Sequence, residues 1–323
     1  MSVLKNIQAP IENEIKEFES YFKKSLQSDI PFLGTILNFL YRTGGKQIRT
    51  MFVFLSAKMI GETNEFSQLA ACSIELLHTA TLVHDDVVDE SYERRGTFSV
   101  KALWKNKLAV LVGDYILAKG LLLMLENRKY NFLHIISEAV KDMSEGEAIQ
   151  IKRSRNLDID YDTYFEIIKK KTASLIATSM SIGAASATTD EAIHNKMYKI
   201  GQDAGIAFQI RDDILDYQVK GFTGKPAGND IKEKKITLPL LYVLNNSSCA
   251  ERKRILRLIK HNNNPAVVRE IIQLVTEKGG LVYASQKMEE FKDRAISGLM
   301  EFEDSQARNS LIELMKYITT RKK

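Results

Sequence analysis

Residues 64–89 read NEFSQLAACSIELLHTATLVHDDVVD, and this stretch decides the fold. Its apolar residues recur with helical period, which predicts a long helix over 64–88 carrying Asp85, Asp86 and Asp89 near its C-terminal end. At 3.6 residues per turn, Asp85 and Asp89 share one face of that helix. The same spacing returns in Asp212-Asp213-Ile214-Leu215-Asp216, again at the end of a long apolar-periodic stretch. Carboxylates crowded in this way repel one another and shift upward in pKa unless cations lie between them. Two such clusters facing each other make an all-oxygen cage of the kind Mg²⁺ prefers, with places left for substrate phosphates.

Outward from this stretch, nearly every segment reads as helix. An amphipathic surface helix is expected over 11–27. Another opens at Pro31 and stops at Gly44-Gly45. The next carries Ile48, Met51, Phe52 and Leu55 and ends near Gly61. Arg94-Arg95-Gly96 reads as a turn, followed by helices over 99–106, 108–127 and 131–152. Asp160 or Asp162 caps a helix beginning near Thr163. The Ala- and Ser-rich stretch 173–187 suits close helix packing, and Asp190 starts the helix that carries the second cluster. Residues 219–235, polar and Gly/Lys-rich with Pro226, read as a mobile loop, and further helices fill 236 to the end. No period-two alternation and no repeat of fixed length is found. The expected architecture is a single all-α domain over 1–323, a bundle of about ten to twelve helices around a central cavity.

Composition narrows the class. The 323 residues are 44% hydrophobic and 27% charged, as in an ordinary soluble globular protein, and 5 Pro with 17 Gly argue against a loop-rich β architecture. The net charge of +5 fits an enzyme that handles anionic substrates. No dense basic stripe with interleaved aromatics points to nucleic acid. Cys72 and Cys249 are too few for a disulfide framework, so a reducing cytoplasm is the expected setting. Glu12, Glu14, Glu17 and Glu19 speak against a secretory signal, and no uncharged run approaches the length of a membrane span.

Basic residues gather at helix boundaries. Lys46 and Arg49 lie three apart at the start of a helix, where backbone N–H groups add positive potential. Arg94-Arg95 follows the first cluster, Lys171-Thr172 pairs an ammonium with a hydroxyl, and Lys225 and Lys235 flank the 219–235 loop. Together with two carboxylate clusters they describe a site for two phosphorylated ligands, one bridged to Asp through metal and one held by Lys and Arg. A P-loop is excluded, because Leu40 and Val219 stand where its first glycine would be needed.

These motifs, in this order, resemble the trans-isoprenyl diphosphate synthases of the polyprenyl synthetase family. The resemblance runs from about residue 30 to at least 245. It takes in Gly44-Gly45-Lys46-x-x-Arg49, His78, the first aspartate cluster, Arg94-Arg95-Gly96, Gly113-Asp114, Glu145-Gly146-Glu147, Lys171-Thr172-Ala173, Phe208-Gln209, the second cluster and Gly224-Lys225-Pro226. It implies that Asp85, Asp89 and Asp212 hold three Mg²⁺ ions on the diphosphate of an allylic substrate, with Asp86, Asp213 and Asp216 supporting them through water or outer-shell bonds. It implies that Arg94, Lys171, Lys225 and Lys235 contact the same diphosphate. Lys46, Arg49, His78 and Arg95 then bind isopentenyl diphosphate, while Thr172 and Gln209 line the reacting centre. Where the family often has Gly-Lys, this chain has Lys234-Lys235.

Product length is expected to depend on the helix before the first cluster. Thr81 and Leu77 lie one and two turns before Asp85, with Ala80 beside them. Bulky aromatics at the Ala80 and Thr81 positions stop growth early in the family, and both residues here are small, which favours a long-chain all-trans product. Leu121, Met124 and Ile136 are floor candidates, and a shorter geranylgeranyl or farnesyl product is the alternative if Leu77 closes the tunnel. The resemblance also implies a homodimer packed through long apolar helices such as 108–127. Two other enzyme classes fit the sequence less well. A di-iron bundle would use Glu75 with His78 and Glu191 with His194, but leaves the Asp clusters unexplained. A terpene cyclase has no use for the second diphosphate site that Lys46, Arg49 and Arg95 imply.

Overall fold

The structure is a computed structural model and describes residues 3–94, 96–218, 228–261 and 264–321. It is all-α. Among the described residues the only strands are β1 (Glu93–Arg94) and β2 (Thr97–Phe98), an antiparallel hairpin with Glu93 opposite Phe98. Strands of two residues are too short to leave an alternation in the sequence. Gly96 at their turn takes φ of +75°, a conformation that favours glycine. The chain falls into two compact units, residues 1–140, 175–199 and 302–313 in the first, and residues 141–174, 200–301 and 314–323 in the second.

In the first unit α1 (Val3–Gln8), α2 (Glu12–Ser25), α3 (Pro31–Arg42) and α4 (Ile48–Ile60) lead to α5 (Glu65–Val88). Asn64 caps α5 by accepting from the backbone N–H groups of Phe66 and Ser67 at 2.9 and 3.2 Å, and Ser67 Oγ accepts from the Asn64 N–H in return. The helix thus begins one residue from where the apolar period predicts. Residues 69–77 of α5 are buried without a break, so this is a central helix rather than an amphipathic surface one. It packs lengthwise on α6 (Val100–Glu126) and against α4. The expected break between 106 and 108 is present at Lys105, whose φ of +66° interrupts α6. The stretch of α6 after this break is long and apolar enough to cross a membrane although Asp114 and Lys119 interrupt it, a property that counting uncharged runs misses.

In the second unit the residues 141–156 of α7 (Tyr130–Asn156) precede α8 (Tyr161–Ile168) and a π-helical turn (Lys169–Ala173), and α9 (Ser174–Ala187) belongs from residue 175 onward to the first unit. Asp160 caps α8, accepting the Thr163 N–H at 2.8 Å. The helix α10 (Glu191–Asp216) ends in the second cluster. Within the expected 219–235 loop, residues 229–232 instead form the short helix α11 (Asn229–Lys232), and residues 219–227 lie outside the described residues. Then follow α12 (Leu238–Asn245), α13 (Cys249–His261), α14 (Pro265–Glu277), α15 (Gly280–Met300) and α16 (Gln306–Thr320). One apolar core joins α8, α10, α12, α14 and α15 through Tyr164, Ile210, Leu241, Ile271 and Ala284.

Candidate active site

The first cluster ends α5, where the helix macrodipole is negative and carboxylates are at a disadvantage. The chain offsets this in part. Asp86 is 3% exposed and accepts from Arg94 Nε at 2.7 Å. Asp85 and Asp89 remain partly exposed. A cleft in the same unit is lined by Gly44, Gly45, His78, Leu82, Asp86 and Arg94 among others. Arg49 Nη1 lies 3.0 Å from His78 Nε2, so two residues expected to bind one diphosphate are brought together. Lys46 is exposed just before α4, and Gln47 between them takes φ of +51°. Leu77 and Ala80 are each 1% exposed and do not line this cleft. By helical angle, Asp85 stands between its lining residues on α5 and the Leu77–Thr81 face, and Asp89 lies on the lining side.

Gly113-Asp114, quoted above only for resemblance, acquires a local reason. A Cβ at Gly113 would lie 2.3 Å from His84 Nε2, and Asp114 Oδ1 is 3.2 Å from that nitrogen. The pair seats the His84 ring next to Asp85.

The second cluster ends α10. Asp213 is 2% exposed, and burial pushes its carboxyl up to about 7, with Asp212 and Asp216 adding to the shift and two hydrogen bonds opposing it. Those bonds come from Tyr164 Oη at 2.6 Å and Gln209 Nε2 at 2.8 Å. Gln209 Oε1 in turn accepts from Thr172 Oγ1 at 2.8 Å. Asp216 accepts the backbone N–H groups of Asn229 and Asp230, both at 3.0 Å, and so caps α11. Asp212 is paired with Arg321, whose guanidinium also lies over the Phe208 ring at 4.1 Å. Lys171 is paired with Glu147, and Lys170 lies 2.5 Å from Glu145. Lys235 Nζ is 2.6 Å from Glu233. A cleft in this unit gathers Lys171, Thr172, Gln209, Asp213 and Lys235 with Tyr164.

Lys171 and Thr172 owe their position to the π turn and to two glycines. A Cβ at Gly146 would meet the Lys171 backbone nitrogen at 2.7 Å, and one at Gly205 would meet Ala173 Cα at 2.5 Å. Single π turns inside helices are frequent at functional sites. Arg95 and Lys225, expected at the site, lie outside the described residues. Tyr164 and Arg321 were not legible as site residues, since their partners lie 49 and 109 positions away and no motif marks them, while Glu147 stood in a quoted motif without an assigned role. The di-iron arrangement finds no support. His78 faces Arg49, His194 Nε2 lies 2.9 Å from the Thr188 carbonyl oxygen, and among the described residues no three His, Cys, Asp or Glu side chains converge as a metal site.

Residues 30–275 match the Polyprenyl synthetase family. The chain belongs to that family. The sequence is 35% identical to heptaprenyl diphosphate synthase component 2 of Bacillus subtilis, over 97% of this chain and 89% of that one. It is 34% identical to octaprenyl diphosphate synthase of Escherichia coli, over 90% of each. Among solved structures, a polyprenyl synthase from Caulobacter crescentus, complexed with calcium and isoprenyl diphosphate, superposes with a TM-score of 0.91 at 32% identity, covering 99% of this chain and 98% of the other. This polyprenyl synthetase is therefore an enzyme, a prenyltransferase of all-α fold.

Proposed function

We propose that the protein condenses isopentenyl diphosphate head-to-tail with an allylic diphosphate, repeatedly, to give a long-chain all-trans polyprenyl diphosphate. One observation carries the reading: the chain keeps all six aspartates, each cluster ending a long helix, in a sequence that matches heptaprenyl and octaprenyl synthases over at least nine-tenths of its length.

The donor chemistry fits Mg²⁺. Asp85, Asp89 and Asp212 are partly exposed carboxylates, and Mg²⁺ is commonly held by one or two carboxylates together with substrate phosphates rather than by a protein cage. Three bound ions are the expected complement, and the Caulobacter protein, complexed with calcium and isoprenyl diphosphate, supports a divalent cation here. When bound, Mg²⁺ supplies charge stabilisation for the departing diphosphate. Arg94, Lys171, Lys225 and Lys235 hold that allylic diphosphate, and Lys46, Arg49, His78 and Arg95 hold isopentenyl diphosphate. The Gln209 carbonyl and the Thr172 hydroxyl oxygen present negative partial charge to the carbon that becomes cationic. Small Ala80 and Thr81 leave the path of the growing tail open.

The reading extends to assembly and setting. Leu111, Leu122 and Leu125 on α6 are 63%, 48% and 46% exposed, a stripe suited to a second copy of the chain in a homodimer. Two free thiols, Cys72 and Cys249, fit a reducing cytoplasm. The test is a product assay with purified protein, Mg²⁺, labelled isopentenyl diphosphate and, separately, dimethylallyl, geranyl and farnesyl diphosphate. Long products that vanish with chelator are expected. Diphosphate release without incorporation of label overturns the reading in favour of a cyclase. Products that stop at geranylgeranyl diphosphate overturn the long-chain part of it.

A further inference from the structure

The polar chain Tyr164–Asp213–Gln209–Thr172 contains one residue to which the site described above gives no role. Tyr164 is 3% exposed on α8, and its hydroxyl donates to Asp213 Oδ2 at 2.6 Å. The other carboxylate oxygen, Oδ1, accepts from Gln209 Nε2 at 2.8 Å. Asp213 Oδ1 is the acceptor in this bond, so the amide edge turned toward it is the nitrogen. Gln209 then has its carbonyl oxygen directed the other way, where Thr172 Oγ1 donates to it at 2.8 Å. The polarity of the whole chain therefore runs from one fixed carboxylate.

The partners of Asp213 are chosen for orientation rather than for neutralisation. A buried carboxylate whose charge needs balancing takes a cation, as Asp86 takes Arg94. Asp213 takes a phenol and an amide. Neither brings a countercharge, and both fix the plane of the carboxyl group. Without the Tyr164 hydroxyl, one oxygen of a 2% exposed carboxylate loses its donor, and the side chain is free to turn from Gln209. That turn releases the amide to present its N–H edge, a positive partial charge, toward Thr172.

We infer that Tyr164 is a positioning residue for the reacting centre, which sets through Asp213 the end of the Gln209 amide that faces Thr172. It holds the carbonyl oxygen where the allylic carbon becomes cationic. Binding of the two diphosphates does not pass through it. The inference rests on the prenyltransferase reading, and wild-type turnover separates the two: a silent wild type defeats that reading, whereas an unimpaired Tyr164 variant defeats this one.

Tyr164→Phe removes one hydroxyl and keeps the ring. Measured with isopentenyl diphosphate, a short allylic diphosphate and Mg²⁺, its kcat should fall about tenfold, with KM for both diphosphates within about twofold of wild type. A residue that only supports the fold lowers the melting temperature and leaves kcat per folded enzyme unchanged. Gln209→Leu should show the same loss in kcat with KM retained. In the Gln209→Leu background, Tyr164→Phe should cost less than about twofold, because the group it orients is gone. A wild-type kcat in Tyr164→Phe, or the same tenfold loss in both backgrounds, overturns the inference. Should Tyr164→Phe fold poorly, Gln209→Leu decides alone: an unchanged kcat there overturns it.

Discussion

Gly205→Ala tests how closely the π turn must sit against α10. The added Cβ would lie 2.5 Å from Ala173 Cα and 2.8 Å from Ala173 Cβ, with backbone on one side and a methyl on the other. Neither neighbour is a flexible chain end. Restoring the 3.4 Å at which ordinary contact begins requires Ala173 to retreat by about 0.9 Å. Thr172 is the next residue, and Gln209 is one turn beyond Gly205 on the same helix, so the retreat acts directly on the 2.8 Å bond between them. Overpacking costs about 1–3 kcal/mol, while alanine for glycine inside a helix returns about 1 kcal/mol. Net stability should fall by no more than about 2 kcal/mol. Turnover should suffer more, because a misplacement of about 1 Å at a reacting centre can lower rates about a hundredfold. The expected outcome is a folded enzyme with kcat reduced about ten- to a hundredfold, measured as label incorporated per folded protein. Gly120→Ala is the control, since its Cβ would meet Leu76 Cβ at an ordinary 3.4 Å and should leave both turnover and melting nearly unchanged. Near-wild-type turnover in Gly205→Ala would refute the claim that this contact positions Thr172.

Asp85→Asn and Asp212→Asn should each lower turnover about a hundredfold or more while thermal melting in chelator stays close to wild type, and near-normal activity in either defeats the metal assignment. Thr81→Phe should shorten the product seen by mass spectrometry, because Thr81 lies one turn before Asp85 and is only partly buried; an unchanged length means that the tail follows another helix. Asp213 sits at about 7 against an ordinary 3.8, so folding favours its protonated form. Its contribution to stability is full below about pH 4 and is lost as pH rises toward about 7. In chelator, the melting temperature of wild type relative to Asp213→Asn should therefore fall between about pH 5 and 7.5, and a flat or rising difference contradicts the assignment.

Much of this was legible because the signals were local. The break near Lys105 and the cap at Asp160 both lie within four residues of what they control. The clusters were legible because their spacing repeats. The π turn over Lys169–Ala173 was not, since one inserted residue in a helix changes no hydrophobic period strongly enough to be seen. Glycine positions showed their presence but not their reason. Gly146 and Gly205 matter through the atoms of Lys171 and Ala173, more than 20 residues away in sequence, and only a folded chain brings those together. Tyr164 and Arg321 were hidden for the same cause. Each is an ordinary residue of a helical segment or chain end until Asp213 or Asp212 is placed beside it.

The geometry of the repeated motif explains a division of labour between its aspartates. In a helix, positions one and five of Asp-Asp-x-x-Asp differ by about 40°, whereas the second position is turned by about 100° from the first. The second aspartate therefore cannot share the direction of its neighbours. In both clusters it turns inward, to 3% exposure at Asp86 and 2% at Asp213. Each then needs a donor from the protein, and each has one, Arg94 in the first case and Tyr164 with Gln209 in the second. The outward members Asp85, Asp89 and Asp212 keep partial exposure, which a carboxylate must have to reach a cation shared with substrate. Asp216 is the exception, because the backbone of α11 takes both of its oxygens. The second cluster thus has one outward carboxylate where the first has two.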